Sequence, residues 1–266
     1  RPRKIQVVKS QNNVSIKTVK MNDMSFNDNL FNPMPTRTKI DQFFSAEGGV
    51  MPGTLVAAVG DPGVGKTTVL LDVLADLQKQ GKKVLFISGE MNAIDMVGYV
   101  RRYPKFGNLD ILFMGDYLDA NPEQVVRQAL KPGYDVVLVD SMMEVADMIV
   151  GANGGTNKAA NSLLLNMFEE QTRGLNDGNV NTAFLLIQQV TKSGGFAGSN
   201  KFKHMVTAMM HMKNSPEGRY IYFSKNRRGG NANRLFFSLD AKNKKIAETD
   251  GLTIKNKGGD RGDFVS

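Results

Sequence analysis

The sequence predicts an α/β fold for residues 35–240, in which a mostly parallel twisted sheet carries helices on both faces and gains antiparallel strands at its C-terminal side. The first observation behind this prediction is an alternation along the chain. Short apolar runs are followed by longer stretches whose apolar residues recur at helical spacing, as in a wound parallel sheet. The second observation is a change after residue 190, where short alternating runs replace the helical pattern and indicate antiparallel strands.

The elements follow in order from these two patterns. Residues 55–59 are expected to form a buried strand because the run is wholly apolar, and residues 66–80 a helix because Val69, Val73 and Leu77 fall on one face. Gly81 then marks the end of the helix. By the same criteria we expect strands at 84–88, 109–114, 136–139 and 182–187, helices at 92–102, 122–131 and 159–174, and edge strands at 206–212, 219–223 and 235–239.

Two segments of different texture flank this core. Residues 1–34 are polar, rich in Asn and Lys and without a sustained period, which predicts an arm or linker. Residues 241–266 are charged and rich in Gly, which predicts a polar tail. We find no internal repeat, so residues 35–240 are expected to form one core domain.

The composition excludes several kinds of chemistry. The chain has no Cys and two His, so it can build neither a disulfide framework nor a cysteine zinc site, and two histidines are few for a histidine metal site. The formal net charge of +8 favours a polyanionic partner. No apolar run reaches the roughly 20 residues that span a bilayer, and the first residues lack the apolar core of a signal peptide. We therefore expect no membrane partner and a cytoplasmic location.

A phosphate-binding motif lies between the first predicted strand and the first predicted helix. The matching residues are Gly60, Asp61, Pro62, Gly63, Val64, Gly65, Lys66 and Thr67, followed by Thr68. They fit the pattern G-x-x-x-x-G-K-[ST], in which backbone N–H groups and a helix N-terminus cradle phosphates. Lys66 is then expected to contact the β- and γ-phosphates and the Thr67 hydroxyl to bind Mg²⁺. The alternative is an ordinary glycine-rich turn.

Two carboxylates stand at the ends of predicted strands. Asp140 ends the run that begins at Val136, which brings it to the carboxyl edge of the sheet and makes it the second expected ligand of Mg²⁺. Its alternative is a helix cap or a surface acid. Glu90 follows another strand and Gly89, a position from which a carboxylate can activate the water that attacks a γ-phosphate. Its alternative is an acid in the first turn of a helix.

These residues resemble the RecA-like P-loop ATPases and, within them, the RadA/Sms branch of recombination and repair proteins. The resemblance runs from about residue 35 to residue 239. It is carried by residues 51–55 with the P-loop, by Ser88-Gly89-Glu90, by residues 190–194 with Ala197-Gly198 and His204-Met205-Val206, and by Lys225-Asn226-Arg227-Arg228-Gly229, which is similar to the family's K-N-R-F-G signature. It implies a RecA-like P-loop ATPase core that uses ATP and Mg²⁺.

The chain departs from the family pattern in three ways. Without cysteine it cannot contain the family's four-cysteine zinc module, and we expect no C-terminal Lon-like domain in it either. Arg228 replaces the Phe of the signature. Gln189 stands where this family tends to carry His, and is similar instead to the glutamine of RecA recombinases and of hexameric replicative helicases.

The resemblance further implies an oligomer, a hexameric ring or a filament, with ATP between neighbouring subunits. On this interpretation Lys225 and Arg227 reach the γ-phosphate bound by the adjacent subunit, as arginine fingers do, and Gln189 senses that phosphate. The alternative for the two cations is an ordinary basic strand end at the surface.

Two predicted loops suit a single-stranded DNA partner. One covers residues 151–158 and includes Lys158, and the other covers residues 191–203 and includes Lys192, Lys201 and Lys203. Glycine-rich backbone with a few lysines suits contact with phosphates that is independent of base sequence. The alternative is that both are ordinary mobile loops.

The sequence therefore favours an ATP-dependent motor or recombinase-type ATPase that acts on single-stranded DNA in recombination, repair or replication. The resemblance implies a DNA-dependent ATPase with RadA-like branch-migration or helicase activity, that is, a helicase or translocase. A replicative-type hexameric helicase is the alternative within the same class. An ATP-binding regulatory switch without DNA activity is the alternative from another class. Glu90, Lys225 and Arg227 argue against the switch, because a protein that only binds ATP needs neither a water-activating acid nor trans-acting cations.

Overall fold

The computed structural model describes residues 16–189, 200–239 and 252–253. Its strands are β1 (Leu55–Gly60), β2 (Val84–Ser88), β3 (Ile111–Phe113), β4 (Val136–Asp140), β5 (Ala183–Gln188), β6 (Ala208–Ser215), β7 (Gly218–Asn226), β8 (Leu235–Phe237) and β9 (Leu252–Thr253). Its α-helices are α1 (Asp41–Phe44), α2 (Lys66–Lys79), α3 (Ala93–Arg102), α4 (Pro122–Leu130), α5 (Met142–Asn153), α6 (Asn157–Thr172) and α7 (Asn200–Met205).

All nine strands join one sheet in the order β3-β2-β4-β5-β1-β6-β7-β8-β9. The pairs from β3 to β6 are parallel, and those from β6 to β9 are antiparallel. The predicted α/β fold, with its parallel centre and antiparallel edge at the C-terminal side, is confirmed. Parallel strands need crossovers, and the helices that make them cover both faces of the sheet.

Two apolar cores lie on the two faces of the sheet. Leu138 of β4 faces the core that contains the apolar side of α2, whereas its neighbours Val137 and Val139 face the core beneath α4, α5 and α6. Every residue of β1, β2, β4 and β5 is buried. This double burial explains why these strands appear in the sequence as continuous apolar runs without alternation.

Helix α5 corrects the prediction for the segment after β4. The sequence predicted a loop at residues 151–158, but α5 extends to Asn153 and α6 begins at Asn157, so most of that segment is helical. The helix forms because Met142, Val145, Ala146 and Ile149 are buried at helical spacing. The glycines at 151, 154 and 155 indicate a loop, but only residues 154–156 separate the two helices. Gly151 lies within α5, where the buried apolar residues outweigh its low helix propensity.

The N-terminal part of the described chain changes character near Met34. Met34 is 3% exposed and pairs with Val50 in an isolated bridge, and Ile40 is fully buried. Residues 16–33 instead carry several exposed apolar side chains, among them Ile16 at 82% and Met21 at 85%. Residues 1–15 lie outside the described part of the chain. Among residues 16–33 of the predicted arm, the side chains are exposed or only partly buried.

Candidate nucleotide-binding site

The P-loop connects the end of β1 to the start of α2. Gly63 and Gly65 adopt positive φ values of 73° and 104°, a region that side chains disfavour. A β-carbon at Gly65 would also lie 2.6 Å from the side chain of Leu239, and one at Gly60 would collide with the carbonyl oxygen of Met212 on β6. These positions therefore require glycine, and the loop keeps its backbone open towards a ligand.

The start of α2 is the electrostatic centre of the loop. The helix is 14 residues long and begins at Lys66, directly after the left-handed Gly65. The N–H groups of its first turn have no intrahelical partner, and the aligned peptide dipoles favour an anion there. The predicted nucleotide-binding residues from Gly60 to Thr68 thus surround the N-terminus of α2, where an anion is favoured.

Lys66 lies across the mouth of this cradle. Its Nζ donates to the carbonyl oxygen of Gly60 at 2.7 Å and to that of Asp61 at 3.0 Å. Burial lowers the pKa of the Lys66 ammonium below its usual value, while nearby carboxylates oppose that shift. A partly desolvated ammonium held by two neutral carbonyls is suited to an anionic ligand.

Thr67, in the first turn of α2, contacts Asp140, the last residue of β4. The Thr67 hydroxyl donates to Oδ2 of Asp140 at 2.5 Å, and Asp140 is only 3% exposed. Burial raises the pKa of Asp140 to about 6, with a further contribution from the charge of Glu90. A hydroxyl and a buried carboxylate are oxygen donors of the kind that Mg²⁺ binds, and a cation would relieve the desolvated charge. The donor set fits the predicted metal.

Glu90 lies beside this pair. The N–H of Gly89 donates to the carbonyl oxygen of Asp140 at 2.8 Å, which joins the ends of β2 and β4. Glu90 is exposed, and its charge contributes to the pKa shifts of both Lys66 and Asp140. It lies outside α3, whose N-terminus is capped by Asn92 and Asp95 in a capping box. The acid in the first turn of α3 is Asp95, so Glu90 does not have that alternative role.

Glu144 of α5 joins the site although the sequence analysis did not select it. A β-carbon at Gly89 would lie 3.0 Å from that of Glu144, so the two segments are in close contact. Burial raises the pKa of Glu144, and the charge of Glu90 raises it further. Ser141-x-x-Glu144 is a helix-start signal that could have revealed this residue, since the Ser141 hydroxyl accepts from the Glu144 N–H at 3.4 Å.

The end of β5 carries two glutamines. Gln188 pairs in register with Val59 of β1, is 1% exposed, and its Oε1 has no hydrogen-bond partner among the described residues. The predicted phosphate sensor, Gln189, directly follows the strand and is partly exposed. Because side chains alternate along a strand, Gln188 faces the same core as Leu186.

Lys225 and Arg227 lie at the other end of the sheet. The register aligns Asn226 with Ala208 and Ala208 with Val56, four residues before Gly60. A strand rises about 3.3 Å per residue, so these four residues separate the two cations from their own P-loop by about 13 Å or more. In the same subunit the two cations bind carbonyl groups at the C-terminal end of α7 and just after it. Lys225 Nζ donates to the oxygens of Lys203 and Val206, and Arg227 Nη2 donates to the oxygen of His204.

Asn226, between the two cations, has a structural role. Its side-chain amide donates to the carbonyl oxygens of Phe43 and Phe44 at 3.0 Å each, and its Oδ1 accepts from the N–H of Arg228. A β-carbon at Gly230, where φ is +104°, would lie 2.7 Å from the Phe43 oxygen. The signature segment is therefore docked onto α1.

The lysines predicted to bind DNA are in different situations. Lys158 is exposed in the first turn of α6, and Lys203 is exposed near the end of α7. Lys201 lies in α7, with its side chain outside the description, and Lys192 lies outside the described residues altogether. The predicted loop at 191–203 thus ends in a helix over 200–205, and its earlier part is not described.

The fold and the arrangement of the P-loop define the class: this chain has a RecA-like P-loop ATPase fold. Solved structures with the same fold include a KaiC-like protein from Pyrococcus horikoshii, with a TM-score of 0.54 at 16% identity, which covers 77% of this chain and 91% of that one. The flagellar accessory protein FlaH from Methanocaldococcus jannaschii gives a TM-score of 0.58 at 13% identity, with 77% and 92% coverage.

The chain is similar in sequence to proteins named DNA repair protein RadA, as its motifs predicted. It is 30% identical to RadA of Campylobacter jejuni over 197 residues, which are 73% of this chain and 42% of the relative. RadA of Streptococcus pneumoniae is 30% identical over 67% of this chain and 40% of its own length. The chain thus spans about two fifths of these relatives. No family model matches it. In the described part of the chain, the helices are too short or too polar to cross a membrane.

Proposed function

We propose that this protein hydrolyses ATP, with Mg²⁺, in DNA repair or recombination, and that it acts as an oligomeric motor on single-stranded DNA. The observation that carries the hydrolytic part is the convergence of Lys66, Thr67 and Asp140 with Glu90 at one edge of the sheet. The DNA part is supported by the similarity to RadA proteins over 73% of the chain. Because its substrate is DNA, we also propose that the protein acts in the cytoplasm of a bacterial or phage-infected cell.

The residues of the site have separate tasks in this mechanism. The N–H groups of the P-loop and the Lys66 ammonium bind the β- and γ-phosphates and stabilise the charge that moves onto them. Thr67 and Asp140 would hold Mg²⁺, which supplies a Lewis acid at the phosphates when bound. Glu90, which is exposed, accepts a proton from the attacking water. The bond between the β–γ bridging oxygen and the γ-phosphorus then breaks, and ADP and phosphate leave.

The transition-state cations come from the neighbouring subunit. Lys225 and Arg227 are too distant from their own P-loop to take part in it, because at least four residues of strand separate the two levels of the sheet. A head-to-tail contact between subunits, in a ring or a filament, removes this obstacle. On binding, the two cations exchange α7 carbonyl oxygens for phosphate oxygens. This exchange would link hydrolysis to α7 and to the residues before it.

DNA binding is assigned to the segments that carry the exposed lysines. Lys158 and Lys203, with Lys192 and Lys201, are proposed to contact phosphates of single-stranded DNA without base specificity. Since α7 carries Lys201 and Lys203 and its C-terminal end binds the trans-acting cations, its position can pass the state of the nucleotide to DNA.

The test of the enzymatic part is the rate of ATP hydrolysis with and without single-stranded DNA. Lys66→Ala should abolish turnover, because it removes the phosphate-binding cation while the loop backbone remains. Lys79→Ala, which changes an exposed lysine at the other end of the same helix, is the control and should keep full activity. Turnover of the Lys66 variant within about a factor of two of wild type would contradict the assignment.

The same assay separates the two alternatives. A regulatory switch would bind ATP without measurable turnover, whereas a replicative-type helicase would also unwind a forked duplex. Turnover that is stimulated by single-stranded DNA, together with branch migration of a recombination intermediate, is the result expected for a RadA-like core.

A further inference from the structure

Four aromatic rings form a row on one face of the antiparallel strands. His211 stacks on Tyr222 with ring centroids 4.7 Å apart and planes at 13°. Tyr222 lies 6.1 Å from Tyr220, which lies 5.6 Å from Phe236. The registers explain the row, because His211 is directly opposite Tyr222 and Tyr220 is directly opposite Phe236. Side chains on one face of β6, β7 and β8 thus make a continuous line of rings, the aromatic row, in which Tyr220 is buried and His211, Tyr222 and Phe236 are partly exposed.

Two exposed cations lie over the aromatic row. Lys213 Nζ is 5.8 Å from the centroid of Tyr222, and Arg234 Cζ is 4.8 Å from that of Tyr220. Both distances are in the range of cation–π contact. The sequence of β6, β7 and β8 contains no Asp or Glu, and between residues 208 and 239 the single carboxylate is Glu217 in the β6–β7 turn. On the described strands β6 to β8, the charged side chains beside the row are therefore mostly cationic.

The aromatic row lies outside both apolar cores of the described residues. The core beneath the helices reaches Met209 on β6, but neither the rings nor the two cations of the row belong to it or to the opposite core. The pKa of His211 is lowered to about 4 by burial and by the charges of Lys213 and Lys203. The charge of Lys203, one of the lysines proposed to bind DNA, thus acts on the first ring of the row.

We infer that the aromatic row is a second contact surface for single-stranded DNA, on which bases stack against the rings while Lys213 and Arg234 bind phosphates. Aromatic faces bind unpaired bases irrespective of sequence, and neighbouring cations hold the backbone. Paired bases cannot stack in this way, so a duplex should bind the row less well. This inference rests on the proposed function, because it adds a contact surface to the same DNA partner.

The first experiment removes the two cations. Lys213→Gln with Arg234→Gln changes exposed side chains only, and Lys79→Gln with Lys131→Gln removes the same charge from exposed positions elsewhere. Binding of fluorescein-labelled oligothymidylate is measured by anisotropy at several KCl concentrations, with a duplex of equal length as a second probe. The row variant should bind the single strand more weakly and lower the salt slope by about 1.4, whereas the control slope should change little. Thermal melting verifies that both variants fold.

The second experiment reports on stacking directly. The chain contains no Trp, so Tyr222→Trp places a single indole in the aromatic row and keeps an aromatic ring there. Oligothymidylate should quench its fluorescence, because a stacked base is an efficient quencher. Tyr134→Trp, beside β4 and far from the row in the strand order, is the matched control and should not respond.

The outcomes separate the two proposals. If wild type binds the oligonucleotide but the row variant behaves like the control variant, or if Tyr222→Trp is not quenched, the aromatic row is only a structural cross-strand cluster, and the proposed function stands without it. If wild type binds no single-stranded DNA with ATP present, the DNA part of the proposed function fails and the inference fails with it.

Discussion

Glu90 and Asp140 are both acids at the nucleotide site, but their surroundings differ. Glu90 is exposed and lies before the capping box of α3, so it has no part in holding that helix. Asp140 is buried and accepts a hydrogen bond from Thr67. The first is therefore suited to exchange protons with water, and the second to bind a cation in a fixed position.

Glu90→Gln tests the proposed base. The amide keeps the shape of the side chain but cannot take a proton, so ATP turnover should fall by about 100-fold or more while nucleotide binding persists. Turnover and binding of a fluorescent ATP analogue are measured side by side. Glu169→Gln, an exposed acid on α6, is the control. Unchanged turnover in the Glu90 variant would mean that another carboxylate activates the water.

Asp140 gives a prediction for pH. Its pKa is raised from 3.8 to about 6, so the folded protein holds this proton more tightly than the unfolded chain does. Asp140 therefore stabilises the folded state most below about pH 4. Its contribution to the free energy of unfolding is lost as the pH rises from about 4 to about 6, by at most about 3 kcal/mol. Asp140→Asn should raise the thermal midpoint at pH 7 without nucleotide, and the gain should shrink near pH 4. A lower midpoint at pH 7 would contradict this balance. The same variant should lose ATP turnover.

At the scale of elements, α2 is held to the segment after α3 by an ion pair between the buried carboxylate of Asp72 and the partly exposed ammonium of Lys105. Lys105 Nζ lies 2.5 Å from Oδ1 of Asp72, whose side chain is 1% exposed, and 3.0 Å from that of Asp76. Burial lowers the pKa of Lys105, but the two carboxylates raise it by more, so the net shift is upwards. This pair fixes the far side of the helix whose N-terminus builds the P-loop.

Lys105→Met should destabilise the fold by roughly 1–3 kcal/mol, because it leaves the buried Asp72 carboxylate without its main cation. Replacing both partners, Lys105→Met with Asp72→Leu, should recover much of that loss. Urea unfolding at pH 7 measures the difference. The exposed pair Arg127 and Glu123 is the comparison, and Arg127→Met should cost less than about 1 kcal/mol. Equal losses in the free energy of unfolding for Lys105→Met and Arg127→Met would show that the burial of Asp72 does not increase the cost of removing its partner.

At the scale of the whole molecule, the P-loop and the signature cations occupy opposite ends of the sheet. A single copy cannot bring them together, because strand registers fix their separation. A head-to-tail oligomer can, since each copy then presents one end to its neighbour. Catalysis should accordingly depend on two subunits at every site.

Mixing two inactive variants tests this arrangement. Arg227→Ala retains Glu90, and Glu90→Gln retains Arg227, so an equal mixture should regain up to about a quarter of wild-type turnover at interfaces that combine both intact residues. Arg228→Ala, the neighbouring exposed arginine, is the control and should be active alone. Absence of rescue in mixtures that co-assemble, as verified by pull-down of a tagged variant, would argue against action across an interface.

Local pattern was sufficient for much of the fold and for the centre of the site. The strands buried on both faces are continuous apolar runs, and the P-loop is a contiguous motif between a strand and a helix, so both were predictable. Helix α5 was not predicted, because its glycines near residue 151 outweighed the buried spacing of Met142, Val145 and Ile149. Its Glu144, which adjoins Glu90, was missed for the same reason.

The sequence by itself determined the buried strands, most of the helices, the P-loop motif and the acids at or just after the ends of β2 and β4, because each depends on neighbouring residues along the chain. Only the tertiary structure decided where distant residues meet. Antiparallel registers align His211, Tyr222, Tyr220 and Phe236 in one row, although up to 25 positions separate them in the sequence. The same registers carry Lys225 and Arg227 away from their own P-loop. Strand pairing is a long-range choice made by packing and hydrogen bonding, which local periodicity does not encode.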